Sequence, residues 1–199
     1  MADKLLIATT NANKLREIRP LLSGIAYELV TLADVPPIEE PEESAATFWE
    51  NARIKALAYA EGSGLLTVAE DSGLAVDAMN GEPGVYSARF LGAGTSYPDR
   101  FTEIFKRIRG RHRGARFVTA LCVARGREVV FETETCVEGE IATAPAGAHG
   151  FGYDPIFWYP PLACTTAQLP DSEKAQISHR GRAFRDLRRW FQRQHSLTR

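Results

Sequence analysis

Glu70-Asp71-Ser72-Gly73 places two carboxylates and a hydroxyl directly after the apolar run Leu65-Leu66-Thr67-Val68-Ala69. That run reads as a strand, and the ligand sites of α/β sheets collect at the C-terminal ends of strands. Upstream, Glu28 to Glu50 carries seven acidic residues and no basic one, with Pro36, Pro37 and Pro41 opposing regular structure. Hard oxygen donors from Glu42 or its neighbours, joined by Asp71, suit Mg²⁺. Nearer the N-terminus, Thr9-Thr10-Asn11-Ala12-Asn13-Lys14 brings hydroxyls, backbone amides and one lysine to a predicted helix start, where an anion is favoured. The spacing is not that of a Walker A loop. Lysine is scarce here, five against nineteen arginines, so Lys14, Lys55 and Lys174 stand out as placed charges. Asn51 and Lys55 lie at i and i+4, on one face of a helix.

Gly147, Gly150 and Gly152 lack the order of a dinucleotide-binding turn. Phe151 and Tyr153 beside them offer rings that either stack a base or fill the core. Ser178-His179-Arg180-Gly181 adds a hydroxyl, an imidazole and a guanidinium fork at another helix start. There is no Gly-x-Ser-x-Gly elbow, and Cys122, Cys136 and Cys164 have neither zinc nor disulfide spacing, which argues against covalent catalysis.

The elements that must position these groups follow from local patterns. A strand over Leu5 to Ala8 feeds a helix through Leu15, Ile18 and Leu22, which Pro20 should kink or end early. Thr47-Phe48-Trp49-Glu50 forms a capping box for a helix running to about Glu61, before Gly62 and Gly64. After the strand that ends in Glu70-Asp71, Leu74 to Ala78 is a second stretch. Phe101, Ile104, Phe105 and Ile108 make the stripe of a surface helix. Arg116 to Ala124 and Glu128 to Val137 form a hairpin turning at Gly126-Arg127. A last helix follows Ser178, with Ala183, Phe184, Leu187, Trp190 and Phe191 inward. Alternating strands and helices followed by paired strands predict an α/β fold with a mixed sheet.

The chain has 199 residues, 44% apolar and 25% charged, which fits one domain over 1–199. Its 24 basic residues nearly cancel 25 acidic ones, so charge alone binds it to neither nucleic acid nor membrane. Two arginine-rich stretches, 100–116 and 180–199, leave a nucleic-acid-binding module as a rival reading; both lie on amphipathic helices, where outward arginines are ordinary. The N-terminal apolar run is too short for a signal peptide or a span, which points to the cytoplasm.

Six segments in register resemble the inosine triphosphate pyrophosphatase family: Ile7 to Lys14, Thr47 to Lys55, Glu70 to Leu74, Gly81 to Arg89, Gly150 to Pro155 and Ile177 to Gly181. The resemblance spans nearly the whole chain. It implies an elongated mixed sheet flanked by helices, with two lobes and a cleft between them, and a homodimer. It implies Mg²⁺-dependent hydrolysis of non-standard purine nucleoside triphosphates to monophosphate and pyrophosphate. By position, Thr9, Thr10, Asn11, Ala12, Asn13, Lys14 and Lys55 would hold the triphosphate. Glu42 and Asp71 would hold the metal, with Asp71 also in the place of the proton acceptor. Ser72, Phe151, Gly152, Tyr153, Asp154, Lys174, His179 and Arg180 fall on substrate-contacting positions. Three departures are Glu70, where aspartate is common, Asn13, where glycine is usual, and Ala175, where asparagine is frequent. A related enzyme acting on modified pyrimidine nucleotides would keep the phosphate and metal groups and change the base pocket.

Overall fold

The computed structural model describes residues 3–197, with side chains to residue 194. Seven strands form one mixed sheet: β1 (Asp3–Ile7), β2 (Tyr27–Thr31), β3 (Leu66–Val76), β4 (Gly114–Arg125), β5 (Glu128–Ile141), β6 (Phe157–Tyr159) and β7 (Cys164–Thr165), in the order β2-β1-β3-β4-β5-β6-β7. β1 runs parallel to both β2 and β3, whereas β5, β6 and β7 pair antiparallel. Five α-helices accompany it: α1 (Ala12–Leu21), α2 (Phe48–Ser63), α3 (Tyr97–Arg107), α4 (Asp171–Ile177) and α5 (His179–Leu197).

Local chemistry sets most boundaries. Thr47 Oγ1 accepts from Glu50 N–H at 3.1 Å and so caps the start of α2, but the Glu50 carboxylate turns to the Thr47 hydroxyl at 2.8 Å, leaving the expected capping box with only its threonine half. Gly64, in the left-handed region, ends it. The helix tolerates Gly62, against the expected earlier stop. Pro20 falls inside the last turn of α1, which closes one residue later. The β4–β5 turn has Gly126 at φ 56° as the first of its two residues. Helix α4 is absent from the sequence reading; it is short, and Pro170 at its N-cap offers no side-chain acceptor.

The predicted pair of stretches around Glu70-Asp71-Ser72-Gly73 is one eleven-residue strand, β3. The polar tetrapeptide is its interior, not a turn. Alternation explains how a strand carries it: Val68 faces one layer and Ala69 the other, so Glu70 and Asp71 project to opposite faces. What ends at this level is β1, whose last pair is Ile7 with Val68. Beyond it the chain turns away through Thr9 to Asn11 into α1.

Two compact units divide the chain. The first takes the sequence to Asp71, Thr119–Thr135 and everything from Arg180; the second takes Ser72–Val118 and Cys136–His179. In the first, one face of the sheet packs Leu5, Ile7, Val68, Leu121 and Val123 against Ile18 and Leu22 of the α1 segment and Phe184, Leu187 and Phe191 of α5. The other face packs Leu6, Ala8, Ala69, Ala120 and Cys122 against Ala52, Ala56, Tyr59 and Ala60 of α2. The small residues on that face let α2 lie close. The second unit closes around Leu74, Val76, Phe101, Ile104, Phe117, Ile141 and Phe157. Among the described residues no helix is long and apolar enough to cross a membrane.

Candidate active site

In the first unit the α2 face of β3 carries Asp71. Asn51, fully buried, donates from Nδ2 to Asp71 Oδ2 at 3.1 Å, and its Oδ1 accepts the Ala45 N–H at 3.0 Å. One turn on, Lys55 Nζ lies 3.6 Å from Asp71 Oδ1 and 3.0 Å from Glu43 Oε2. An ammonium thus sits between two carboxylates. Burial raises the Asp71 pKa; Lys55 opposes that, and the negative charge of Glu43 adds to it. The i, i+4 pair that looks like solvated surface in sequence is therefore a buried arm. The acidic loop contributes Glu43, while Glu42 is exposed.

The opposite face carries Glu70. Its Oε1 takes Lys14 Nζ at 3.0 Å, Arg180 Nη2 at 3.1 Å and Arg180 Nε at 3.2 Å. Arg180 Nη1 donates to Glu17 at 2.6 Å. Burial alone would push the Glu70 carboxyl up; Arg180 and Lys14 overcome it and hold the group well below the usual carboxylate range. Glu70 Oε2 is buried with no hydrogen-bond partner. Lys14 comes from the start of α1, where Asn11 Oδ1 accepts the amides of Asn13 and Lys14 at 3.0 and 3.2 Å. Those two amides are already capped, while Thr10, Asn11, Ala12 and Asn13 are exposed. Asn13 is an ordinary helical residue outside the positive-φ set, so it replaces glycine there without strain.

The second unit holds a separate group. The buried Asp154 carboxylate accepts the Phe151 N–H on Oδ2 at 2.7 Å and pairs on that same oxygen with the buried ammonium of Lys174, from α4. Lys174 Nζ also stands 5.1 Å from the centre of the half-buried Phe151 ring. Gly150, at φ 70°, fits because a Cβ there would strike the Asp154 carboxylate. Gly152, at φ 66°, completes the turn. The two aromatic rings part company: Tyr153 is core, edge-on to Tyr97, its hydroxyl donating to Ser87 O at 2.9 Å. Phe151 is the ring left half-open. His179 is buried and stacked on Phe117 at 4.7 Å. Ser72 is half-buried in β3.

The Ham1 family description matches residues 5–190. The chain belongs to the Ham1 family. Relatives agree along its length. A dITP/XTP pyrophosphatase of Gloeobacter violaceus is 47% identical over 184 residues, 92% of this chain and 91% of its own. A dITP/XTP pyrophosphatase of an Exiguobacterium species is 43% identical over 185 residues, 92% of this chain and 94% of its own. The solved Ham1 protein of Staphylococcus aureus superposes with a TM-score of 0.87 at 35% identity, covering 96% of this chain and all of that one.

For a Ham1 protein, sequence reading had named Asp71, Lys14 and Lys55. It noted Asn51 only for its helical spacing to Lys55 and reached Glu43 only as a neighbour of Glu42, and it passed over Thr166, which donates from Oγ1 to Asp154 Oδ1 at 2.8 Å.

Proposed function

We propose that this chain hydrolyses non-standard purine nucleoside triphosphates, those of inosine, deoxyinosine and xanthosine, to the monophosphate and pyrophosphate. Supporting that reading are the relatives named for this activity and, above all, one arrangement: Lys55 held between Asp71 and Glu43. Two carboxylates gathered around a cation form a pair of hard-oxygen donors. These residues fit Mg²⁺, with Asp71 and Glu43 as the carboxylates that would hold it. In that role Glu43 takes the place given to Glu42 in the sequence reading. When bound, Mg²⁺ supplies charge stabilisation to the phosphoryl oxygens and acidifies water.

The chain's own residues divide the remaining work. Asp71 accepts the proton of the water that attacks the α-phosphorus as the α–β anhydride bond breaks. In the metal-free chain burial and the charge of Glu43 raise its pKa, the direction that favours taking up a proton. Asn51 fixes which carboxylate oxygen faces Lys55. Lys14, Lys55 and the Thr9 to Asn13 turn bind the triphosphate, neutralising its charge. Phe151 offers its ring to the base, backed by Gly152 and the buried Tyr153. Asp154, Lys174, Ser72, His179 and Arg180 recognise the base and sugar, and the reading of the 6-oxo group is assigned to donors near His179 and Arg180. Arginine only donates, so adenine's 6-amino group sets donor against donor, a mismatch that can cost a factor of about 10⁴. We place the activity in a cytoplasmic homodimer whose partners do not include nucleic acid or membrane.

Pyrophosphate release measured over a nucleotide panel tests this. Inosine and xanthosine triphosphates should lead, guanosine triphosphate follow, and adenosine and pyrimidine triphosphates come last, with all turnover lost in chelator and restored by Mg²⁺. Adenosine triphosphate level with inosine triphosphate would overturn it.

Lys14→Ala and Lys55→Ala should each lower kcat/KM by on the order of 10²-fold for every base alike. Lys55→Ala should also lower the melting temperature more than Lys14→Ala. It leaves Asp71 and Glu43 facing each other, whereas Glu70 keeps Arg180 when Lys14 is lost. A changed ratio between inosine and guanosine triphosphates in either variant would move that lysine to the base pocket.

A further inference from the structure

The Asp154 carboxylate answers to three donors from three different segments: the Phe151 amide in the glycine-rich loop, Lys174 in α4, and Thr166 in the short turn after β7. The first two share Oδ2. Oδ1 receives the Thr166 hydroxyl, which is buried and also lies 3.2 Å from the Asp154 carbonyl oxygen. Carboxylate torsion in aspartate is soft, so two donors on one oxygen leave the plane of the group poorly fixed, and a donor on the other oxygen sets it.

The turn that delivers Thr166 is itself immobilised against the same loop. Thr165 Oγ1 donates to Ala146 O at 2.7 Å, and His149 N donates to Ala167 O at 2.9 Å. Gly147 packs so closely on the Ala167 backbone that a Cβ has no room. Thr166 is β-branched and holds few rotamers, so its hydroxyl arrives from a fixed place.

We propose that Thr166 is a positioning residue for base recognition, holding the Asp154 carboxylate in the plane that sets the Phe151 backbone and the Lys174 ammonium. The assignment rests on the base-pocket reading of Phe151 and Lys174 given above. Thr166 touches no substrate; it acts through Asp154. Removing its hydroxyl leaves a buried carboxylate oxygen without a donor, and the group then turns to regain one. That turn carries Oδ2 away from the amide and the ammonium together.

Thr166→Val keeps the shape and removes the hydroxyl; Thr166→Ser keeps the hydroxyl. In the full-length protein with Mg²⁺, the valine variant should raise KM for inosine triphosphate about tenfold with kcat within about twofold. Its preference for inosine over guanosine triphosphate should narrow by a similar factor. The Phe151 amide, read by hydrogen exchange in the nucleotide-free protein, should exchange about tenfold faster. Thr166→Ser should restore all three. A valine variant with wild-type KM, selectivity and Phe151 exchange, whatever its melting temperature, would overturn the proposal, as would a serine variant that behaves like valine. Should the wild-type protein hydrolyse no purine nucleoside triphosphate, the functional reading falls, and Phe151 exchange alone decides whether Thr166 positions Asp154.

Discussion

Asp71→Asn is expected to cut kcat by about 10³-fold or more, the scale of losing a positioned proton acceptor, while leaving the protein folded. The amide is nearly isosteric and still accepts from Asn51 through its oxygen. It neither takes a proton nor brings charge to a metal. Stability should move the other way. Asp71 is an acid whose pKa is raised in the folded protein, first by burial and further by Glu43. Its ionised form therefore costs the folded state free energy at pH above that raised value, and the cost disappears as pH falls through it. The variant should melt at or above the wild-type temperature near pH 8, and the gap should close on acidification. Activity within tenfold of wild type, or a large loss of melting temperature at neutral pH, would contradict the assignment.

Arg180→Ala should produce the largest loss of stability of any single change at the site. Three of its N–H groups go to Glu70 and Glu17, and both it and Glu70 are under 5% exposed. The change leaves the buried Glu70 with Lys14 alone, and breaking a buried ion pair from one side typically costs about 3–5 kcal/mol. In a protein of this size that is a melting temperature lower by roughly 10 °C. The pH dependence follows from Glu70, whose folded pKa is depressed by Arg180 and then Lys14, against burial. A depressed acid stabilises the fold above its unfolded pKa, and that stability is lost as pH falls toward the folded value. The wild-type advantage over Arg180→Ala should accordingly be full at neutral pH and shrink below about pH 4, the ordinary range for a glutamate. Pairing the change with Glu70→Gln should recover part of the loss. The single variant should also narrow the spread between inosine and adenosine triphosphates. Calorimetry across pH, with kcat/KM on both nucleotides, checks each statement.

Much of the scaffold was readable from local chemistry: the Thr47 cap, the glycine-turned hairpin and the apolar stripes of α3 and α5 are short-range signals that folding keeps. Glu70-Asp71-Ser72-Gly73 misled because three polar residues closed by a glycine resemble a turn. Here the neighbours that make it a strand come from distant sequence. Glu42 and Glu43 are indistinguishable by composition, and only the packing of the acidic loop on α2 selects the one that meets Lys55. Phe151 and Tyr153 pose the same difficulty. Their spacing cannot say which ring is enclosed by Tyr97 and Phe101. Thr166 is silent in sequence because its value lies wholly in an acceptor twelve residues away.

β1 has five residues beside the eleven of β3, and it stops at the level of Val68. Every residue added to β1 would carry its ladder past Val68 toward Ala69, Glu70 and Asp71, walling off with backbone the step at which Lys14 reaches one carboxylate and Lys55 the other. The length of an apparently structural strand is thus a dimension of the candidate site. Anyone transplanting this chemistry to another sheet would have to copy the missing neighbour as faithfully as the side chains.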